Sequence, residues 1–192
     1  MLLSGKSNDD MLSSILSYPQ DHTWTASGLG LIRCYLSEDR SVRLHIWNSD
    51  LRVPGVSMIH THPWHLFSTI VCGCIVDNTY EEADASNDQF YPYFRRKMRC
   101  GDDVQSLGKD AMVSLIKRQT KQYYPEDSYR HCPEDIHETE AAEGTVTVMT
   151  RVQSDRDYAY IYWPGGTNFG DSYQRPATEN EIIASLMKIQ RH

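Results

Sequence analysis

Three histidines carry the first chemical signal in this chain. His60 and His62 stand two apart in Gly55-Val56-Ser57-Met58-Ile59-His60-Thr61-His62-Pro63-Trp64-His65. On a strand, residues i and i+2 face the same way, so both imidazoles point into one space. Neutral imidazole nitrogen suits zinc, copper, iron and nickel, and two such rings can grip one divalent ion. A metal needs at least one further ligand from elsewhere. His137 is the best candidate, in the turn-like Cys132-Pro133-Glu134-Asp135-Ile136-His137 just before an expected strand over 144–152. A His-x-His pair alone is common, and core or surface histidines outnumber ligands. The company strengthens the reading: a turn before the pair, an apolar strand after it, then Gly73, and a third histidine in a second strand-and-turn setting.

Other side chains could serve such a site. Arg33, Arg43, His45 and Arg151 fall on expected strands. An arginine pointing into a barrel is costly unless paired, and a substrate carboxylate is a frequent partner. An outward arginine is simply solvated, which is the commoner case for any single one. Arg43, His45 and Trp47 share one face, either the cavity or the outer surface. Arg43, His45 and Arg151 are therefore the candidate substrate-binding residues, and His65, Tyr129 and His131 the candidate catalytic ones, able to hold or pass a proton near a metal. Tyr158, Tyr160 and Tyr162 alternate on one strand, as an aromatic wall for a substrate or, more commonly, as sheet packing or a dimer interface. Cys72 and Cys74 would share a strand face; a Cys-x-Cys pair can bind metal, but buried small hydrophobes are the commoner outcome. Cys132 reads better as a plain buried cysteine than as a reactive thiol.

The elements that must position these residues are mostly strands. Residues 9–18 carry Met11, Leu12, Ile15 and Leu16 at helical spacing behind Asp9 or Asp10 as a cap. From residue 28 the period becomes two. Strands are expected over 29–36 and 42–47, joined by the polar turn Ser37-Glu38-Asp39-Arg40, then over 56–59, 66–76, 129–131, 144–152 and 158–163. A strand over 90–98 would carry Pro92 at an edge or bulge. Residues 102–122 are ambiguous, because Ala111, Met112, Leu115 and Ile116 have helical spacing. Thr178-Glu179-Asn180-Glu181 matches a capping box and opens a terminal helix over 179–191, with Ile182, Ile183, Leu186, Met187 and Ile189 on one side. With no repeat, low-complexity tract or linker, one domain over 1–192 is the economical reading, its barrel core over about 28–165.

Composition excludes several classes. The chain has 192 residues, 40% hydrophobic and 23% charged, ordinary for a globular protein. Its formal charge is −7 and its longest basic run is Arg95-Arg96-Lys97, so nucleic acid is not an expected partner. No apolar run reaches the ~18 residues of a membrane span, and the polar Ser7-Asn8-Asp9-Asp10 leaves no signal-peptide core, so no membrane partner is expected. Five cysteines without a CxxC pair read as reduced thiols in the cytoplasm.

The segment Gly55 to Gly73 resembles the first motif of the cupin superfamily, in which His-x-His is followed by a spaced glutamate and then a glycine. Residues 129–148 are similar to the second motif, in which a proline turn precedes the third histidine. The phrase His60-Thr61-His62-Pro63-Trp64-His65-Leu66-Phe67-Ser68 also resembles a group of small cupin-like proteins that tend to have aspartate where this chain has His65. The resemblance covers roughly the middle two-thirds of the chain. It implies an all-β double-stranded β-helix (jelly-roll) barrel with one mononuclear metal centre inside and short N- and C-terminal helices, and it favours strands over 102–122. It also implies pairing through the sheets into a homodimer. Two departures stand out. Counting back from Gly73, the family's glutamate ligand falls at Leu66, and the second motif is one residue short between Pro133 and His137 and lacks its glycine, with Asp135 nearby. The ligand set is thus His60, His62 and His137, or these with His65; residue parity puts Leu66 on the metal side unless Pro63 makes a bulge. A three-histidine set without carboxylate resembles that of the thiol dioxygenases. The expected cofactor is therefore one divalent ion, Fe(II) first, with Zn, Ni or Mn as alternatives, and the expected activity is an iron(II) dioxygenase acting on a small polar molecule. The alternatives are a non-redox isomerase, lyase or dehydratase, and a ligand-binding barrel without catalysis.

Overall fold

The structure, a computed structural model, describes residues 13–15, 17–83, 92–99, 105–165 and 174–189. One seven-stranded sheet runs in the order β10 (Ser128–His131), β5 (Trp64–Cys72), β12 (Val146–Gln153), β3 (Val42–Arg52), β2 (Leu29–Tyr35), β1 (Trp24–Ser27), β14 (Gln174–Pro176). The other runs β13 (Tyr158–Pro164), β4 (Ile59–His60), β11 (Ile136–Ala141), β6 (Ile75–Ala83), β9 (Ala111–Tyr123), β7 (Pro92–Arg99), β8 (Gln105–Ser106). Because β13 also pairs with β7, six strands of this second sheet close into a ring, and neighbouring strands in both sheets are antiparallel. The expected all-β barrel with little helix is what forms.

Alternation along these strands feeds two apolar cores and one cavity. Ile32 and Cys34 of β2, Leu44 and Ile46 of β3 and Val146 of β12 point away from the second sheet. They are covered by Ile15, by Trp24 and Ala26 of β1, and by Ile189. The second core fills the ring: Ile59 (β4), Val113 and Leu115 (β9), Ile136 (β11) and Tyr162 (β13), with Tyr80 (β6), Tyr93 (β7) and Tyr160 packed against them. Between the first sheet and the outer wall of the ring lies a cavity of about 570 Å³.

The terminal helix α1 (Glu179–Met187) is capped as expected: Thr178 Oγ1 accepts from Glu181 N, and the Glu181 carboxylate accepts from Thr178 N. It docks through Ile182, Leu186 and the buried Ser185, whose hydroxyl accepts from Asn48 Nδ2 at 2.9 Å. Ile183 and Met187 instead face solvent, at 46% and 81% exposure, so the expected apolar side is narrower than its sequence. Of the helix expected over 9–18, residues 13–15 and 17 are helical, Tyr18 is not, and the rest lies outside the described residues.

Residues 111–123, left open by their helical spacing and assigned to strands by the resemblance, form one long strand, β9, because pairing with β7 at its start and with β6 over the rest outweighs that spacing. Two expectations need correction. His60 and His62 do not share a strand: His60 ends β4 in the ring, and His62 lies in the link that crosses to β5 in the first sheet. Cys72 and Cys74 do not share a strand face either, since Gly73 (φ 80°) turns the chain back to the ring between them. The strand expected over 90–98 forms as β7 from Pro92, with residues 90 and 91 outside the described set.

No helix among the described residues is long and apolar enough to cross a membrane.

Candidate metal centre

The link between β4 and β5 is held extended by Thr61. Its N donates to Tyr160 O and its Oγ1 accepts from Tyr160 N, both at 2.9 Å. This clamp to β13 turns both flanking imidazoles into the cavity, doing the work expected of strand alternation. Across the ring wall, β11 pairs His137 directly with His60. The three rings converge, with centroids 4.6 Å (His60 to His62), 4.8 Å (His60 to His137) and 5.1 Å (His62 to His137) apart. One ligand nitrogen from each lies within 4.8 Å of the others, so the three could hold a metal ion.

Two tautomers are set by the protein. His60 Nδ1 lies 2.7 Å from Met58 O, and a carbonyl only accepts, so Nδ1 carries the hydrogen and Nε2 is left bare. His137 Nδ1 lies 3.4 Å from Asp77 Oδ1. Burial works to raise the Asp77 carboxyl, but hydrogen bonds and charge from His131 and His137 outweigh it and hold it at about 2. An ionised carboxylate accepts only, so His137 Nε2 is also bare; it is buried with no hydrogen-bond partner in the protein. Orientation of a ligating histidine through its second nitrogen is how metal sites fix ring and tautomer. Burial also keeps the imidazoles neutral: His60 is pushed down to about 3 with help from His137, and His62 and His137 are lowered as well. Neutral imidazole is the form that binds metal.

Asp77 is the residue that sequence reasoning missed. It sits on β6 beside β11, 3% exposed, and its Oδ1 also accepts from His131 Nε2 at 3.2 Å and faces Thr139 Oγ1 at 3.5 Å. Asp77, His131 and His137 make a second, fully buried group that could hold a metal ion. Both groups use His137. In the second, both histidines already hydrogen-bond to Asp77 Oδ1, whereas the first leaves His137 Nε2 without a partner.

The remaining candidates divide by strand face. Arg43, His45 and Arg151 line the cavity, as do Arg33, Trp47 and Trp64. His45 and Trp47 thus face inward, which settles the face that the sequence left open. Trp64 stacks on His62 at 5.6 Å between centroids. Tyr129 lines the cavity too; burial, eased by hydrogen bonds to Ser68 and Thr139, raises its hydroxyl to about 12. His131 does not reach the cavity: its ring packs on His137 at 3.9 Å and opens to a separate cleft over β6 and β9. His65 is a correction. Trp64, Leu66 and Ser68 line the cavity, so Pro63 does not shift the phase, and His65 lies on the other face of β5 beside Phe67, away from the imidazoles. Tyr158, Tyr160 and Tyr162 also face away, since Ala159 and Ile161 are the cavity residues of β13; Tyr160 and Tyr162 belong to the ring core. Cys34 is buried, its thiol pushed up to about 12 by burial, and Cys132 is exposed rather than buried.

Compared with known proteins, the chain matches no family model, no curated protein and no solved structure. The cavity's own chemistry therefore carries the functional argument: three neutral nitrogen donors at one end, and buried arginines on the facing sheet.

Proposed function

We propose that this protein is a metal-dependent enzyme of cupin type, an iron(II) dioxygenase acting on a small polar molecule, with His60, His62 and His137 as the metal ligands. The observation that carries the proposal is the pre-set imidazole trio. Two of its members already spend one ring nitrogen on Met58 O and on Asp77, and His137 Nε2 is left buried without a partner. An orphaned buried polar atom is unfavourable, and an ion is the partner that suits this one. Three neutral ligands leave a divalent ion its full charge and open positions, and iron(II) held there would supply oxygen activation.

The protein's own residues account for the rest of the design. Leu66, Met149 and Ile161 give the cavity a partly apolar wall that limits water. Arg43 and Arg151 face the space beside the histidines and would orient a polar substrate there. Tyr129 keeps its proton across the physiological range, so its hydroxyl can donate a hydrogen bond to a bound molecule. His131 acts through Asp77 on His137 and not on substrate. A homodimer and a cytoplasmic setting accompany this reading.

Metal analysis of protein purified without added metal, alongside His60→Ala and His137→Ala, tests it. About one iron per chain, lost in both variants, is expected, and would justify an O₂-uptake screen. Zinc, nickel or manganese in the same site would replace the dioxygenase by a Lewis-acid isomerase, lyase or dehydratase. No metal even after reconstitution with iron(II) would leave a ligand-binding barrel.

A further inference from the structure

The arginines of the cavity pose a question of their own. Arg33 on β2 is 7% exposed, and its Nε and Nη1 have no hydrogen-bond partner in the protein; its polar neighbour is Tyr35. Arg43 on β3, equally buried, directs Nε at Arg40 O at 3.3 Å and lies over the rings of Tyr35 and Trp64 at 5.6 and 5.5 Å. Among the described residues the cavity is lined by a single acid, Asp157, which pairs with Arg99 at 3.5 Å. A guanidinium buried without a counter-charge is costly. Burial lowers the pKa of Arg33, and burial together with the Arg33 charge brings Arg43 down to about 10.

Other orphans of this cavity tell the same way. Trp47 Nε1, Trp64 Nε1, Arg156 Nε and His45 Nε2 are buried without partners. Guanidinium and indole N–H groups donate and cannot accept, and the imidazole nitrogen of His45 donates in one of its two tautomers. What complements the wall is therefore acceptor-rich and negative.

We infer that this wall is a subsite for an oxyanion, a carboxylate or a phosphate carried by a small molecule and gripped by Arg33 and Arg43. The guanidinium fork matches two oxygens of such a group. Arg43 lies over Trp64, which in turn stacks on His62, and Arg33 lines the same cavity, so the subsite adjoins the imidazole trio and one small molecule can occupy both. The joint occupancy rests on the metal-centre reading; the subsite does not.

The test uses protein stripped of metal by chelation, titrated calorimetrically with inorganic phosphate and, separately, with succinate, against chloride at matched ionic strength. One of the two oxyanions is expected to bind, and which one distinguishes phosphate from carboxylate. Arg33→Gln and Arg43→Gln should each weaken binding by about tenfold or more, and Arg33→Lys by less, since it keeps the charge and loses the fork. Arg118→Gln, at the exposed pair with Glu81 on β6, should leave binding unchanged. Equal, weak binding of all three anions would overturn the subsite. So would full-strength binding by Arg33→Gln with a native melting curve. A protein that takes up no metal yet binds the oxyanion loses only the metal centre, and one that takes up metal yet binds no oxyanion loses only the subsite.

Discussion

At the residue scale, the least visible side chain carries much of the site's order. Asp77 fixes which nitrogen of His137 is bare, and it shares that one oxygen with His131 and Thr139. Asp77→Asn keeps the shape but replaces an ionised acceptor with an amide, so His137 loses its orienting charge. Metal affinity should fall by about 10–100-fold in a competition titration with a chromogenic chelator. An unchanged affinity would mean that the ion sits without help from β6. The three histidines were legible from residue type and spacing, although the two-residue spacing works through the Thr61 clamp rather than along one strand. Asp77 was not legible. It stands next to Asn78, one on each face of β6 and both buried, and nothing local says which of them meets the imidazoles; that is decided by pairing of Asp77 with Thr139 and by the arrival of β10. Arg33 was legible as a strand arginine but its face was not, since Leu31 and Ile32 on either side of the strand are both buried and give no inside or outside.

At the element scale, the crossings between sheets do most of the positioning. The chain leaves the first sheet at Gly73, where φ is 80° and a Cβ would lie 2.4 Å from Thr145 Oγ1 and 2.8 Å from its Cα. That hydroxyl accepts from Cys74 N and donates to Cys74 O, tying the crossing to the start of β12. Gly73→Ala should therefore cost at least ~1–3 kcal/mol in urea unfolding, from the left-handed backbone and the contact together. A loss below roughly 0.5 kcal/mol would mean that the turn relaxes at no cost. Gly73 was legible as a landmark after the apolar strand, but not as a change of sheet. The strand framework was largely legible because period-two alternation reports a half-buried ribbon directly. β9 was the hard case: Met112 supplies one of its helix-like positions and is 63% exposed, while Val113 and Leu115 are the residues that enter the ring. Closure of that ring by β13 against β7 joins residues 158–164 to 92–99, a separation that no local pattern reports.

At the scale of the whole molecule, the cavity couples acidity to stability. His45, His60, His62 and His137 are all held below the ordinary histidine value of 6.5, chiefly by burial, His60 at about 3. Between those values the unfolded chain binds more protons than the native one, so native stability rises with pH across that window. For metal-free protein the contribution is fully present above pH 6.5 and is lost as the medium is acidified towards 3. Asp77 extends the slope, its share present above the ordinary 3.8 and lost as pH falls through about 2. Melting temperatures of metal-free protein taken from pH 8 down to 5 should fall below the histidine value; a flat or rising profile would mean that the native cavity already holds charged imidazoles. The placement of the two apolar cores has a further consequence. On β2 and β3, residues 32, 34, 44 and 46 secure the sheet from outside the cavity, while 33, 43 and 45 face into it. Even-numbered positions there answer to folding and odd-numbered ones to recognition. A lineage built on this frame can revise what it recognises one residue at a time, without renegotiating how the chain folds.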